Sequence, residues 1–187
     1  VNGVQIAGIN NLVQDTVKGI QVAGVNNLVK GNTRGVQIGG VYNHVTDSMH
    51  GIQIGGVANF NHKKTTGLQI GGVVNVANKE MNGVQIAGVV NYTKKLKGLQ
   101  IGVINIADSS DGYSIGLVNI ILKGYHKLSF SHNEALDANI AFKTGNRKLY
   151  SILMGGMNTS DKEKLYSYGY GLGSELYLNK KKNISFN

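Results

Sequence analysis

The chain has no cysteine, no proline and no tryptophan. Without cysteine there is no disulfide framework and no thiolate metal site, although the compartment stays open. No apolar run approaches the ~20 residues of a membrane helix, and no secretory signal segment is visible. Acidic side chains are few: 10 Asp and Glu stand against 19 Lys and Arg, for a net charge of +9. A basic balance can favour nucleic acid, anionic lipid or polyanionic glycan. Nucleic acid asks for basic residues interleaved with stacking aromatics on one face. Here the lysines fall between repeats, as in Lys63-Lys64, Lys94-Lys95 and Lys180-Lys181-Lys182, where solvated turns account for them. Nucleic acid is therefore not expected as a partner.

The motifs of catalysis are missing as well. There is no Gly-x-Ser-x-Gly elbow and no cysteine nucleophile, and no glycine-rich turn feeds a helix as nucleotide sites require. The five histidines (44, 50, 62, 126 and 132) show no His-x-x-x-His or His-Glu-x-x-His spacing. The nearest approach to a metal cluster is His126, His132, Glu134 and Asp137, which reads more simply as a polar strand end and loop. Asp108 and Asp111 flank a Ser-Ser turn without the spaced ligands and closing Glu of a calcium loop. The few carboxylates sit mostly in turns, a poor basis for glycoside hydrolysis. No catalytic, cofactor-binding or metal-ligating residue is expected.

What the chain has is a repeat. Gly3-Val-Gln-Ile-Ala-Gly-Ile-Asn-Asn11 returns from Gly19, Gly35, Gly51, Gly67 and Gly83. Gln5, Gln21, Gln37, Gln53, Gln69 and Gln85 are 16 residues apart, as are Asn11, Asn27, Asn43, Asn59, Asn75 and Asn91. A short fixed period marks a stacked or arrayed architecture. The apolar-polar alternation of Val84-Gln-Ile-Ala is strand periodicity. The seventh copy, Leu99-Gln-Ile-Gly-Val-Ile-Asn105, is one residue shorter, and the eighth, Tyr113-Ser-Ile-Gly-Leu-Val-Asn119, is short too. Because one residue flips the face of a strand, the longer copies need a corner or bulge near Ala87-Gly88, where glycine pairs such as Gly39-Gly40 recur.

The uniformity of Val84, Ile86, Val89 and Asn91 among the copies places those positions inside. The varied positions equivalent to 90 and 92 then lie outside, and Tyr42, His44, Phe60 and Tyr92 are the candidate contact residues. On this assignment Ile70→Asp or Ile86→Asp unfolds the array locally and Tyr92→Ser is mild. The Gln row, continued by Gln100, and the Asn row, continued by Asn105 and Asn119, read as structural amide rows. An exposed Gln row could also meet a glycan or another protein's sheet edge.

Two architectures are compatible with the repeat. In a β-solenoid each 15–16-residue copy is one coil, and Gln stacks on Gln. In a single up-and-down antiparallel β-barrel each copy is a strand and turn, and Gln5 faces Asn27. The solenoid is preferred because parallel stacking explains why one residue type recurs at one place. From about Gly124 longer strands begin, joined by turns at Thr144–Arg147, Thr159–Lys162 and Asn179–Lys182. Tyr166, Tyr168, Tyr170, Leu172, Leu176 and Leu178 alternate with Gly169, Gly171 and Gly173, the pattern of an antiparallel meander and also of an outer-membrane barrel strand. The expected division is a repeat array over 1–122 and an antiparallel β segment over 123–187. The chain begins inside a repeat at Val1-Asn2-Gly3 and stops inside a strand-like pattern at Ile184–Asn187, so it reads as a piece of a longer or processed chain.

The repeats Gly67-Leu-Gln-Ile-Gly-Gly-Val-Val-Asn75 and Gly83-Val-Gln-Ile-Ala-Gly-Val-Val-Asn91 resemble those of a bacterial surface-repeat family first labelled in leptospires and abundant in Bacteroidetes. The stretch Ile106–Ile121 is similar to that family's end-of-array segment, after which barrel-like strands commonly follow, as Arg147–Met154 does here. The resemblance covers nearly the whole chain. It implies export to the cell envelope, outer membrane or cell surface, and carries no catalytic residues. The expectation is a non-enzymatic envelope protein whose array is a structural or binding surface, or alternatively an outer-membrane β-barrel serving as pore or anchor. Its partners would be the outer membrane, a surface glycan or another envelope protein.

Overall fold

A computed structural model describes residues 1–134, 136–158, 165–179 and 182–186. All the regular structure among them is β. No helix there is long and apolar enough to cross a membrane, which says nothing about strands.

The repeats form a parallel β-solenoid. Strand Val17–Ala23 pairs in parallel with Asn2–Ala7 and with Thr33–Gly39, always sixteen positions on, so that Gln5, Gln21 and Gln37 are direct neighbours. The first sheet continues through Met49–Gly55 and Lys64–Gly71 to the second half of the long strand Val74–Ala87, then Leu99–Ile101 and Tyr113–Ile115. The second sheet runs from Asn10–Val13 through Asn26–Val29, Tyr42–Val45 and Ala58–Asn61 to Val74, then Val90–Leu96, Ile104–Ser110 and Val118–Ile121. A repeat is therefore a coil, and the antiparallel barrel reading of the repeats is overturned: Gln69 neighbours Gln53 and Gln85, not Asn.

Glycine sets the coil's shape at two places. Gly51 has φ of 135°, and a Cβ there would stand 1.9 Å from the carbonyl oxygen of Gly35, so only a bare backbone lets adjacent coils approach. Between the sheets the chain turns at Gly88-Val89, where Gly88 amide bonds Gly71 and Val89 bonds Val73 of the previous coil. The shorter seventh copy drops one corner residue, and Gly102 alone stands between Ile101 and Val103. Long and short copies alike then place Gln and Asn inside.

The interior reverses the face expected from the sequence. Gln85 and Asn91 are 0% exposed, whereas Ile86 is 36% and Val89 42% exposed. Val84, Ile86 and Val89 point outward with their equivalents, and of the uniform positions only Asn91 lies inside. Apolar alternation did not decide the face because the amides satisfy one another across the coils. Toward the far end of each coil the interior becomes apolar, with Val13, Val17, Val29 and Val45 in one cluster and Ala77, Met81, Leu96, Ala107 and Ile121 in another.

The C-terminal segment is an antiparallel meander of Tyr125–Ser131, Ala138–Asn146, Leu149–Met157, Tyr166–Asn179 and Lys182–Phe186. It closes the C-terminal end of the solenoid. Asn119 donates to the Ser151 hydroxyl at 2.6 Å, Thr144 donates to the Asn119 carbonyl at 2.9 Å, and the Tyr170 hydroxyl donates to Gly116 at 2.8 Å. The expected turn at Thr159–Lys162 and the side chains of Leu176 and Leu178 lie outside the described residues.

Candidate interaction surface

The amide rows decide what the surface can be. Each Gln donates toward the N-terminus: Gln37 to Gln21 at 2.8 Å, Gln53 to Gln37 at 2.7 Å, Gln85 to Gln69 at 2.7 Å and Gln100 to Gln85 at 2.9 Å. In the eighth coil the Ser114 hydroxyl takes the place of the amide and donates to Gln100. Each Asn donates the opposite way, Asn43 to Asn59 at 2.9 Å, Asn59 to Asn75 at 2.8 Å and onward to Asn119. The second hydrogen of the Asn amide reaches across to the first sheet, as Asn75 does to the Ile86 carbonyl at 2.7 Å. Two amide chains of opposite sense thus run side by side and tie the sheets together, each bond polarising the next. Gln21 through Gln100 are fully buried. The Gln row therefore cannot meet a glycan or a sheet edge, the functional option that an exposed row would have offered.

The four candidate contact residues lie outward on the second sheet. His44, Phe60 and Tyr92 belong to one row, in which His44 abuts Phe60 directly and Val76 separates Phe60 from Tyr92. Tyr42 stands in the neighbouring row, its hydroxyl 3.4 Å from the Asn26 amide. The structure gathers Tyr42, His44 and Phe60 into one patch and leaves Tyr92 roughly 10 Å along the stack, two coils at ~4.8 Å each. His62 joins the patch, its ring centroid 5.0 Å from that of His44. Burial, with help from the positive charge that His62 can carry, holds His44 below the ordinary histidine range. Among the described residues no group of three or more His, Asp or Glu gathers closely enough to hold a metal ion. His126 instead bonds the Ile121 carbonyl, and His132 bonds the Asp137 carbonyl.

The sequence reasoning missed the larger surface, which is the outside of the first sheet. The row from Val4 to Tyr113 and the row from Ile6 to Ile115 consist of Val, Ile, Leu and one Tyr throughout. A third apolar row, Ile9 to Leu117, follows the corner. The signal was present: Gln and Asn recur more strictly than their aliphatic neighbours, which interchange Val, Ile and Leu as a tolerant outer face does. A second exposed apolar area lies on the C-terminal sheet, where Leu128, Phe130, Ile140 and Phe142 share a face with Tyr168, which is 96% exposed. A shallow cavity of about 380 Å³ opens there, lined by Phe130, Ile140, Met157 and Tyr166 among others.

No protein-family model, no curated protein and no solved structure matches the chain.

Proposed function

We propose that the chain is a non-enzymatic repeat protein of the bacterial cell envelope, whose solenoid serves as an extended structural and contact surface. The observation that carries this reading is how the repeated groups are used. The Gln and Asn side chains that recur from coil to coil are consumed in buried ladders, and the repeated groups that face outward are aliphatic. Such a molecule offers neighbours a long surface. The envelope assignment rests on the resemblance of the repeats.

A second reading is favoured by the exposed apolar face of the C-terminal sheet. Aromatic side chains opposite small ones suit a bilayer interface, and the sheet would then anchor the array to the outer membrane. Fractionation of cells that make the full-length protein tests both readings. Recovery in the envelope, with labelling by a membrane-impermeant reagent, is expected. Release by high salt means peripheral contact, whereas a need for detergent means an anchor. A cytoplasmic pool inaccessible to the reagent would overturn the envelope assignment.

A further inference from the structure

The outer face of the first sheet carries apolar side chains of one kind over eight coils. The rows Val4–Tyr113 and Ile6–Ile115 contain no charged residue. Each coil presents the same apolar pair, so the stripe continues from the first coil to the eighth. Along one border runs the stacked glycine row, which leaves a groove. At the C-terminal end this groove has a volume of about 520 Å³ and is lined by Val84, Leu99 and Tyr113 on one side and by Lys97 and Asp111 on the other. On the far side of the glycines stand Lys18, Arg34 and His50, in register with one another and exposed. Lys18 and Arg34 have no acidic partner among the described residues, while Lys97 pairs with Glu80 at 3.1 Å. Asp111, at the C-terminal end of this border, lies 3.8 Å from Lys95.

We propose that this face docks on an anionic bilayer surface, with the aliphatic rows at the acyl boundary and the basic border against the headgroups. The proposal rests on the envelope reading above and adds which face is used and what it meets. An apolar face beside cationic side chains is the arrangement that holds peripheral structures in a lipid interface. A second copy of the chain fits less well. Eight coils at ~4.8 Å, with rows ~7 Å apart, make a strip of roughly 400–500 Å², short of the about 800 Å² per partner in stable protein interfaces. Both copies would also carry the +9 charge, which repels like and attracts an anionic surface.

The absence of tryptophan provides the test. Ile54→Trp places a single fluorophore on the proposed face, and Phe60→Trp places one on the opposite sheet. The full chain is mixed with phosphatidylcholine vesicles, with and without phosphatidylglycerol, carrying brominated acyl chains. The expected result is a blue shift and quenching of the Ile54→Trp signal in anionic vesicles. Binding is at least tenfold weaker in neutral vesicles or with Lys18→Glu and Arg34→Glu together, and Phe60→Trp stays unquenched. Lack of quenching at Ile54→Trp, or equal quenching at both sites, overturns the proposal. So does a stable dimer in light scattering that Ile54→Asp dissociates, since a second copy would then cover the face. Failure with vesicles while the protein still labels at the cell surface would remove this inference and leave the envelope reading standing.

Discussion

Replacing Asn75 with Leu raises hydrophobicity at a fully buried position and is nonetheless expected to destabilise the protein. The Asn75 side chain is 0% exposed. Its Oδ1 accepts from Asn59 at 2.8 Å, and its Nδ2 donates to Ile86 at 2.7 Å and to Asn91 at 3.1 Å. Leucine leaves one Asn59 hydrogen and the Asn91 oxygen without their partners in the dry interior. Each orphaned group costs about 1–3 kcal/mol, so the two together cost roughly 2–6 kcal/mol. Burial of the leucine returns at most about 1.5–3 kcal/mol. At the middle of these ranges the net expectation is a loss of about 2 kcal/mol, a drop in Tm of roughly 4–8 °C for a chain of this size. Urea unfolding followed by circular dichroism would report it as a lower midpoint with unchanged slope. Adding Asn59→Leu should cost less than its own single effect, because the Asn59 orphan disappears with it. A neutral or stabilising Asn75→Leu, or strict additivity of the pair, would refute the ladder as the source of interior stability.

The outward position of the aliphatic rows predicts that Ile54→Asp changes stability by no more than about 1 kcal/mol, whereas Leu96→Asp, at a site with 0% exposure, costs roughly 4 kcal/mol or more; thermal melts of the two would separate them. Gly51→Ala should cost about 2 kcal/mol or more, since a methyl group meets the Gly35 oxygen in a backbone conformation unfavourable to alanine, while Gly8→Ala, with nothing within 4 Å, stays close to neutral in the same unfolding assay. Glu80 forms ion pairs with Lys64 at 3.0 Å and Lys97 at 3.1 Å, and the ammonium groups of Lys64 and then Lys97 hold its carboxyl below the usual range. The unfolded chain therefore takes up this proton first, so the stabilisation is present above about pH 4.5 and is lost as pH falls through the folded value. A pH series of unfolding midpoints should show a shallower acid decline in Glu80→Gln.

Much of the fold was legible in the repeat itself. The recurrence of Gln and Asn at one place in copy after copy favoured like standing beside like, and parallel stacking does that. The one-residue deletion between Gln100 and Asn105 located the corner. The facing of the strands was misread because alternation alone treats apolar side chains as inward. At Gln69 and Ile70 that rule fails: a row of identical amides a coil apart gives the Gln69 nitrogen an acceptor on Gln53 and its oxygen a donor from Gln85, which offsets much of the cost of burying the amide. Ile70→Asp and Ile86→Asp, expected from alternation to unfold the array locally, become surface changes, and the outward Tyr92 keeps its place. The apolar outer face was hidden by the same misreading, since its residues had been assigned to the core. The link from Asn119 to Ser151 joins residues 32 apart with no pattern connecting them, and only the folded chain brings them together.

The most direct measurement is hydrogen exchange of the side-chain amides by NMR. If the amides are the interior and the aliphatics the exterior, the carboxamide hydrogens of Gln37, Gln53, Gln69, Asn43, Asn59 and Asn75 exchange at least about a hundredfold more slowly than free glutamine and asparagine, and the bonded Nε2 and Nδ2 hydrogens are the slowest. Exchange at the rate of the free side chains would place these rows in water and contradict the account.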